Sequence, residues 1–258
     1  MISKIKKILN KKNKSKIICL TSYSKNIAEA IDPYTDIILV GDSLGSVLYN
    51  YSTTRKVTLN QMIEHSKSAR LGIKNSLMVV DMPYKTYPNK KRALKNAKKI
   101  MQETKCDAVK LEGGSSIIKI VDHLVKNKIP VMGHLGILPQ SVKGKFKFKG
   151  KKNNERNKIL NDAKLLEKKG VFSIVLECVE TSLSKQITKI LKIPTIGIGS
   201  SQNCDGQVLV VDDLIGLNLS KIKFVKKFGR VKNNISNAAR SFKKEVLNKK
   251  YPTKKYSY

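Results

Sequence analysis

The chain has 258 residues, 40% of them apolar and 28% charged, which is enough for a sizeable core and excludes a disordered chain. Lysine plus arginine number 52 against 19 aspartate plus glutamate, a formal charge of +33, yet only six of the cations are arginine, tryptophan is absent and aromatics are 6%. Lysine scattered over surface positions, without the forks and stacking rings that nucleic-acid readers use, excludes specific nucleic-acid recognition as the first reading. In chain order, the basic start MISKIKKILNKKNKSK precedes only a short apolar run, so a cytoplasmic protein with an uncleaved, basic N-terminal segment is expected. Eight short runs rich in Ile and Val then follow: Lys16–Leu20, Asp36–Val40, Ser76–Val80, Ala108–Leu111, Ile129–Met132, Phe172–Leu176, Ile193–Ile198 and Gln207–Val211. They are mostly continuous rather than alternating, as in parallel strands covered on both faces. Between them, Gln61–Leu71, Lys91–Met101, Ser116–Lys126, Asn157–Lys169 and Ser182–Leu191 have helical apolar spacing with Lys on the outer face.

Eight strands separated by helices predict an α/β fold, a (β/α)8 TIM barrel, over a single domain spanning residues 1–258. Gly199–Gly206 is too short for a full helix and is expected to be a loop. A basic helix around Asn234–Leu247 is expected to close the fold, with Lys249–Tyr258 as a polar tail and the Lys/Gly-rich Gly144–Asn154 as the most mobile internal segment. Four cysteines without a Cys-x-x-Cys pair exclude a disulfide scaffold and a zinc ribbon; Cys19, Cys106, Cys178 and Cys204 read as small buried fillers. No apolar run approaches the roughly 18 residues of a membrane span.

In such a barrel the reactive groups stand at the C-terminal ends of the strands. The second run ends in Gly41-Asp42-Ser43, the third in Asp81-Met82-Pro83, the fourth in Lys110-Leu111-Glu112-Gly113-Gly114, the fifth in Gly133-His134 and the sixth in Glu177-Cys178. Acidic residues are scarce in this chain, so four of them, with His134, at the ends of five consecutive strands are not surface decoration. Carboxylates without a His/Cys set suit a hard cation such as magnesium, which prefers a few carboxylates, several waters and substrate oxygens. Such an ion polarises a carbonyl, and a carboxylate outside its shell can remove the neighbouring proton. The residues alone therefore point to metal-assisted proton abstraction, or a carbon–carbon bond reaction, on an oxo acid. Structural alternatives stand beside each candidate: Asp42 as a helix N-cap, Asp81 as a turn residue, Lys110 as a solvated charge and His134 as a hydrogen-bonded core histidine.

At these residues the sequence resembles the ketopantoate hydroxymethyltransferase (3-methyl-2-oxobutanoate hydroxymethyltransferase) family of pantothenate biosynthesis. The matching segments are Leu20–Tyr23, Ile38–Gly45, Val57–Leu59, Val109–Gly114, Gly133–Gly136 with Pro139–Val142, Val175–Val179, Ile193–Gly199 and Cys204–Leu209, in family order. The resemblance implies a phosphoenolpyruvate/pyruvate-like barrel with magnesium. It implies transfer of a hydroxymethyl group from 5,10-methylenetetrahydrofolate to 3-methyl-2-oxobutanoate, giving 2-dehydropantoate. It places Asp42, Asp81 and Glu112 at the metal and Asp42, Ser43, Asp81 and Lys110 on the oxo acid. Glu177 becomes the proton acceptor and His134 a supporting group. It also implies a homodecamer.

Arg55-Lys56 stands where the family usually has Leu-Pro, Gly199-Ser200-Ser201 replaces Gly-Ala-Gly, and the loop Lys143–Lys151 is shorter than the family's. These departures bear on folate affinity and loop motion. Two rival readings remain at this point. One is a magnesium-dependent oxo-acid lyase of the isocitrate lyase or phosphoenolpyruvate mutase type. The other is a Lys-rich polyanion-binding protein without activity.

Overall fold

The computed structural model describes residues 2–141, 148–218 and 222–258. They form two compact units, Met1–Val210 and Val211–Tyr258. The first holds a closed barrel of eight parallel strands, β1 (Ile17–Thr21), β2 (Ile37–Val40), β3 (Leu77–Asp81), β4 (Ala108–Glu112), β5 (Val131–Gly136), β6 (Ser173–Glu177), β7 (Thr195–Ile198) and β8 (Gly206–Leu209), each bonded to its neighbours in sequence, with β1 against β8. The (β/α)8 expectation is therefore met. β2, β3 and β4 are buried along their whole length, which is why their sequences run apolar without alternation.

The helices of this unit are α1 (Ile2–Asn10), α2 (Lys25–Ile31), α3 (Leu44–Val47), α4 (Leu59–Arg70), α5 (Lys90–Thr104), α6 (Ile118–Lys126), α7 (Asn153–Lys168) and α8 (Thr181–Ile190). Their ends follow local chemistry. α4 opens on a capping box in which Thr58 and Gln61 satisfy each other's backbone N–H. α5 is capped by Asn89, buries Ala93, Ala97 and Ile100, and stops at Lys105 in the left-handed region. No helix separates β7 from β8, as the short Gly199–Gly206 segment requires.

The basic N-terminal segment is more than an extension. α1 places Ile8 in the barrel core beside Ile17, Cys19, Leu77 and Val208, with Ile5 and Leu9 packed against the same cluster. Lys4 Nζ donates to the carbonyl of Ser76 at 2.8 Å, and Lys12 Nζ meets Asp205 Oδ2 at 2.8 Å. Both partners directly precede strands, so α1 closes the N-terminal end of the barrel and leaves the opposite end for the site. Among the predicted loops, residues 142–147 lie outside the described residues, and with them the first four residues of the Lys/Gly-rich segment. The stretch after them is tied down: Lys149 N donates to Cys178 O and its carbonyl accepts from Glu180 N, both at 2.8 Å.

The second unit contains α9 (Val211–Leu214) and α10 (Val231–Leu247). The tail does not hang free of α10: Tyr251 meets Phe242 edge-on at 5.4 Å and Tyr256 at 6.0 Å. Among the described residues no helix is long and apolar enough to cross a membrane.

Candidate active site

Strand register builds the site. Asp81 pairs with Lys110, Glu112 with His134, and Gly136 with Glu177 across successive parallel strands. Lys110 and Glu112 are two residues apart on β4 and so share the inward face. All seven residues singled out from sequence stand near or just beyond the C-terminal strand ends, and contacts link six of them, all but Ser43, into one network.

Lys110 Nζ lies 2.9 Å from Asp81 Oδ1 and 3.3 Å from His134 Nδ1. His134 Nδ1 is 3.6 Å from Glu112 Oε1, and its Nε2 is 3.3 Å from Glu177 Oε2. Asp42 N donates to Asp81 Oδ2 at 3.0 Å, and Ser43 Oγ shares a 2.9 Å hydrogen bond with Tyr23 OH. Asp42 does not cap α3 through its side chain. Its Oδ2 instead accepts a 2.8 Å bond from Gln140 Nε2. Lys110 is 5% exposed, which removes the solvated-charge alternative.

Burial acts differently on each group. Desolvation, then the charges of Asp81 and Glu112, hold the Asp42 carboxyl well above the ordinary range. Burial also raises Asp81, against the opposing pull of Lys110. For Glu112 burial is outweighed by His134, Lys110 and the Gln140 N–H, and its carboxyl lies below the ordinary value. Burial would lower Lys110, but three surrounding carboxylates raise it. His134 is pushed up to about 9: burial and Lys110 oppose its charge, and Glu112 and Glu177 on either side prevail. The Cys178 thiol, half-buried rather than a buried filler, is pushed up to about 11 by burial and Glu177.

The carboxylates divide by exposure. The side chains of Asp81 and Glu112 are 4% and 3% exposed, whereas that of Glu177 is 21% exposed. Two buried atoms of the site, Asp81 Oδ1 and His134 Nε2, make ion-pair contacts without a hydrogen bond of good geometry. Asp81 Oδ1 is met by the Lys110 ammonium at 2.9 Å, and His134 Nε2 by Glu177 Oε2 at 3.3 Å. Among the described residues no three His, Cys, Asp or Glu side chains converge closely enough to hold an ion unaided. A hard cation that keeps waters and substrate oxygens in its shell needs only one or two carboxylates. The all-oxygen set of carboxylates and the negative charge of Asp81 and Glu112 around the buried Asp42 fit such a cation.

Sequence reasoning missed two residues of the site, Gln140 and Tyr87. Tyr87 OH donates to Gln140 Oε1 at 2.6 Å, and Gln140 N donates to Glu112 Oε2 at 3.0 Å. Gln140 lay within a matching segment, but nothing in the spacing told that its side chain turns back over the mouth.

The family model for ketopantoate hydroxymethyltransferase matches residues 2–254. A protein of Pelagibacter ubique (strain HTCC1062) called 3-methyl-2-oxobutanoate hydroxymethyltransferase is 66% identical over 256 residues, covering 98% of this chain and 99% of its own. One of the same name from Anaplasma marginale (strain St. Maries) is 42% identical over 260 residues, covering 100% and 94%. Among solved structures, 2,3-dimethylmalate lyase, a PEP mutase/isocitrate lyase superfamily member, superposes with a TM-score of 0.64 at 10% identity over 99% of this chain and 88% of its own. Phosphonopyruvate hydrolase in complex with oxalate and Mg++ gives 0.62 at 8% identity over 98% and 93%. These two establish the barrel type alone. The whole-length match and the identity to named transferases decide the rest: the chain is an enzyme of the ketopantoate hydroxymethyltransferase family.

Proposed function

We propose that the chain transfers a hydroxymethyl group from 5,10-methylenetetrahydrofolate to 3-methyl-2-oxobutanoate, giving 2-dehydropantoate through an enolate of the oxo acid. The observation that carries this reading is the division among the carboxylates: a buried set around Lys110, and one partly open carboxylate, Glu177, facing the same mouth. A single site thus offers a place for a cation and a separate base.

Asp42, Asp81 and Glu112 would hold a magnesium ion, with water and substrate oxygens completing its shell. Bound there, the ion supplies Lewis-acid stabilisation of the negative charge that develops on the keto oxygen. Lys110, kept charged by its carboxylate neighbours, binds the oxo-acid carboxylate or keto oxygen. Ser43, oriented by Tyr23, contacts the same substrate. Glu177 accepts the C3 proton, and the carbanionic C3 attacks the methylene carbon of the tetrahydrofolate, whose bond to one nitrogen has opened to an iminium. Water then replaces the remaining nitrogen on that carbon, supplies the product hydroxyl and releases tetrahydrofolate, which takes up the protons. His134 stands between Glu112 and Glu177 and fixes the base toward the substrate.

The reading is tested with folate carrying a 13C-labelled methylene carbon, magnesium and 3-methyl-2-oxobutanoate. NMR is expected to show the label in a hydroxymethyl group on C3 of the product. Glu177→Gln is expected to lower turnover by about 10²–10⁴-fold. Folded wild type that forms no labelled product contradicts the proposal.

A further inference from the structure

The side chain that joins the two halves of the carboxylate set is not itself an acid. Gln140 lies just after β5 and is 3% exposed. Its amide nitrogen uses both protons, one on Asp42 Oδ2 at 2.8 Å and one on the carbonyl of Met82 at 3.0 Å. Its amide oxygen accepts from Tyr87 OH at 2.6 Å. Its backbone N–H donates to Glu112 Oε2 at 3.0 Å. One residue therefore holds a carboxylate from the end of β2, a carboxylate from the end of β4 and the backbone just past the end of β3.

The orientation of the amide follows from the chemistry of its partners. Asp42 Oδ2 and Met82 O are both acceptors, so the NH2 must face them and the oxygen must face Tyr87. A flipped amide would set its oxygen against a carboxylate and a carbonyl together, in a site where burial makes such a contact costly. The Tyr87 hydroxyl adds a donor on the far side and selects the same orientation. No other uncharged side chain of this length both donates twice and accepts once in this geometry.

We propose that Gln140 is a positioning residue for the cation site, with Tyr87 setting its amide. It restrains rotation of the Asp42 carboxylate by engaging one oxygen, and it fixes Glu112 from the other side. This rests on the proposed metal-assisted reading. Groups that orient metal-binding side chains typically change metal affinity or activity by about 10–100-fold when removed.

The test uses Mn2+ as the probe, with binding read by electron paramagnetic resonance in the presence of 3-methyl-2-oxobutanoate. Gln140→Met keeps the length of the side chain and the backbone bond to Glu112 but removes the amide. Its Mn2+ affinity is expected to fall about tenfold or more, with the circular dichroism spectrum of the folded protein retained. Tyr87→Phe is expected to lose affinity in the same direction and to a smaller extent. A folded Gln140→Met that binds Mn2+ as wild type does overturns the proposal. If that variant fails to fold, Tyr87→Phe decides: a loss supports the role of Gln140, and wild-type affinity overturns it. Wild type that binds no Mn2+ with the oxo acid removes both this inference and the reading beneath it, so the two failures are distinct.

Discussion

Glu177 is the last residue of β6, and the chain changes direction immediately after it. Cys178 has φ of 49°, a left-handed conformation that a β-substituted residue adopts at a cost of order 1–3 kcal/mol. The turn is held by neighbours. Cys178 N donates to Ile198 O at 2.8 Å. Ser200 Oγ accepts from Val179 N at 3.0 Å and donates to Leu176 O at 2.8 Å, bracketing Glu177 on both sides. The Ser200 departure from the family pattern thus has a structural role beside Glu177. Ser200→Ala leaves the Val179 N–H without its acceptor and is expected to cost about 1–3 kcal/mol, measurable by urea unfolding, with a fall in kcat larger than any change in KM. Arg55, the other departure, donates to Tyr84 OH at 2.6 Å and stacks over that ring at 4.3 Å. The charged residues of the site were legible because a charge that closes an apolar run demands a reason. Gln140 and Tyr87 were not, because their roles depend on side-chain reach between segments that no single-strand pattern encodes.

At the scale of elements, the strands could be read from continuous apolar runs to within a residue or two, except that β5 runs on to Gly136, four residues past the Met132 at which its apolar run was ended. β7 begins at Thr195 rather than Ile193; the preceding Pro194 has no N–H and contributes only its carbonyl, which accepts from Ile174 N. α1 was hidden by its lysines, although Ile5, Ile8 and Leu9 stand at helical spacing. Truncation of the buried Ile8 to alanine is expected to destabilise the protein by about 2–4 kcal/mol, read as a shift in the denaturant midpoint. α8 carries a pH-sensitive start. The Glu180 carboxylate accepts from Ser182 N and Leu183 N, both at 3.0 Å, and pairs with Arg156 at 2.7 Å. Bonds from the Ser182 side chain and backbone, with Leu183 and Arg156 behind them, hold its pKa down at about 2. Because the folded value is depressed, this contribution is complete above the unfolded value near 4.5 and is lost as pH falls towards 2. Glu180→Gln is accordingly expected to melt below wild type at pH 7, with the gap closing between about pH 4.5 and 2. An unchanged gap across that range would show that the charge is not what the helix start uses.

For the whole molecule, the barrel was legible and the choice among its chemistries was not. The same cylinder serves 2,3-dimethylmalate lyase and phosphonopyruvate hydrolase, and only the full-length identity to named transferases separates this chain from them. Part of the large positive charge lies on helices, as in the groove lined by Lys90, Lys91, Lys95, Lys98 and His123. Such a field attracts anions over a distance set by ionic strength. If it serves the enzyme, folate bearing longer glutamate tails has a lower KM at low salt, with the advantage shrinking as salt is added; equal KM values at every tail length leave the charge without that role. The proposed reaction turns on one step, loss of a proton from C3 of the oxo acid to Glu177. Incubation with 3-methyl-2-oxobutanoate and magnesium in D2O, without folate, isolates that step. Proton NMR is expected to show the C3 hydrogen exchanging in wild type, stopping on chelation of the metal, and slowing by about 10²–10⁴-fold in Glu177→Gln. A folded wild type that leaves C3 unexchanged both with and without folate, or a Glu177→Gln variant that exchanges it at the wild-type rate, contradicts the account.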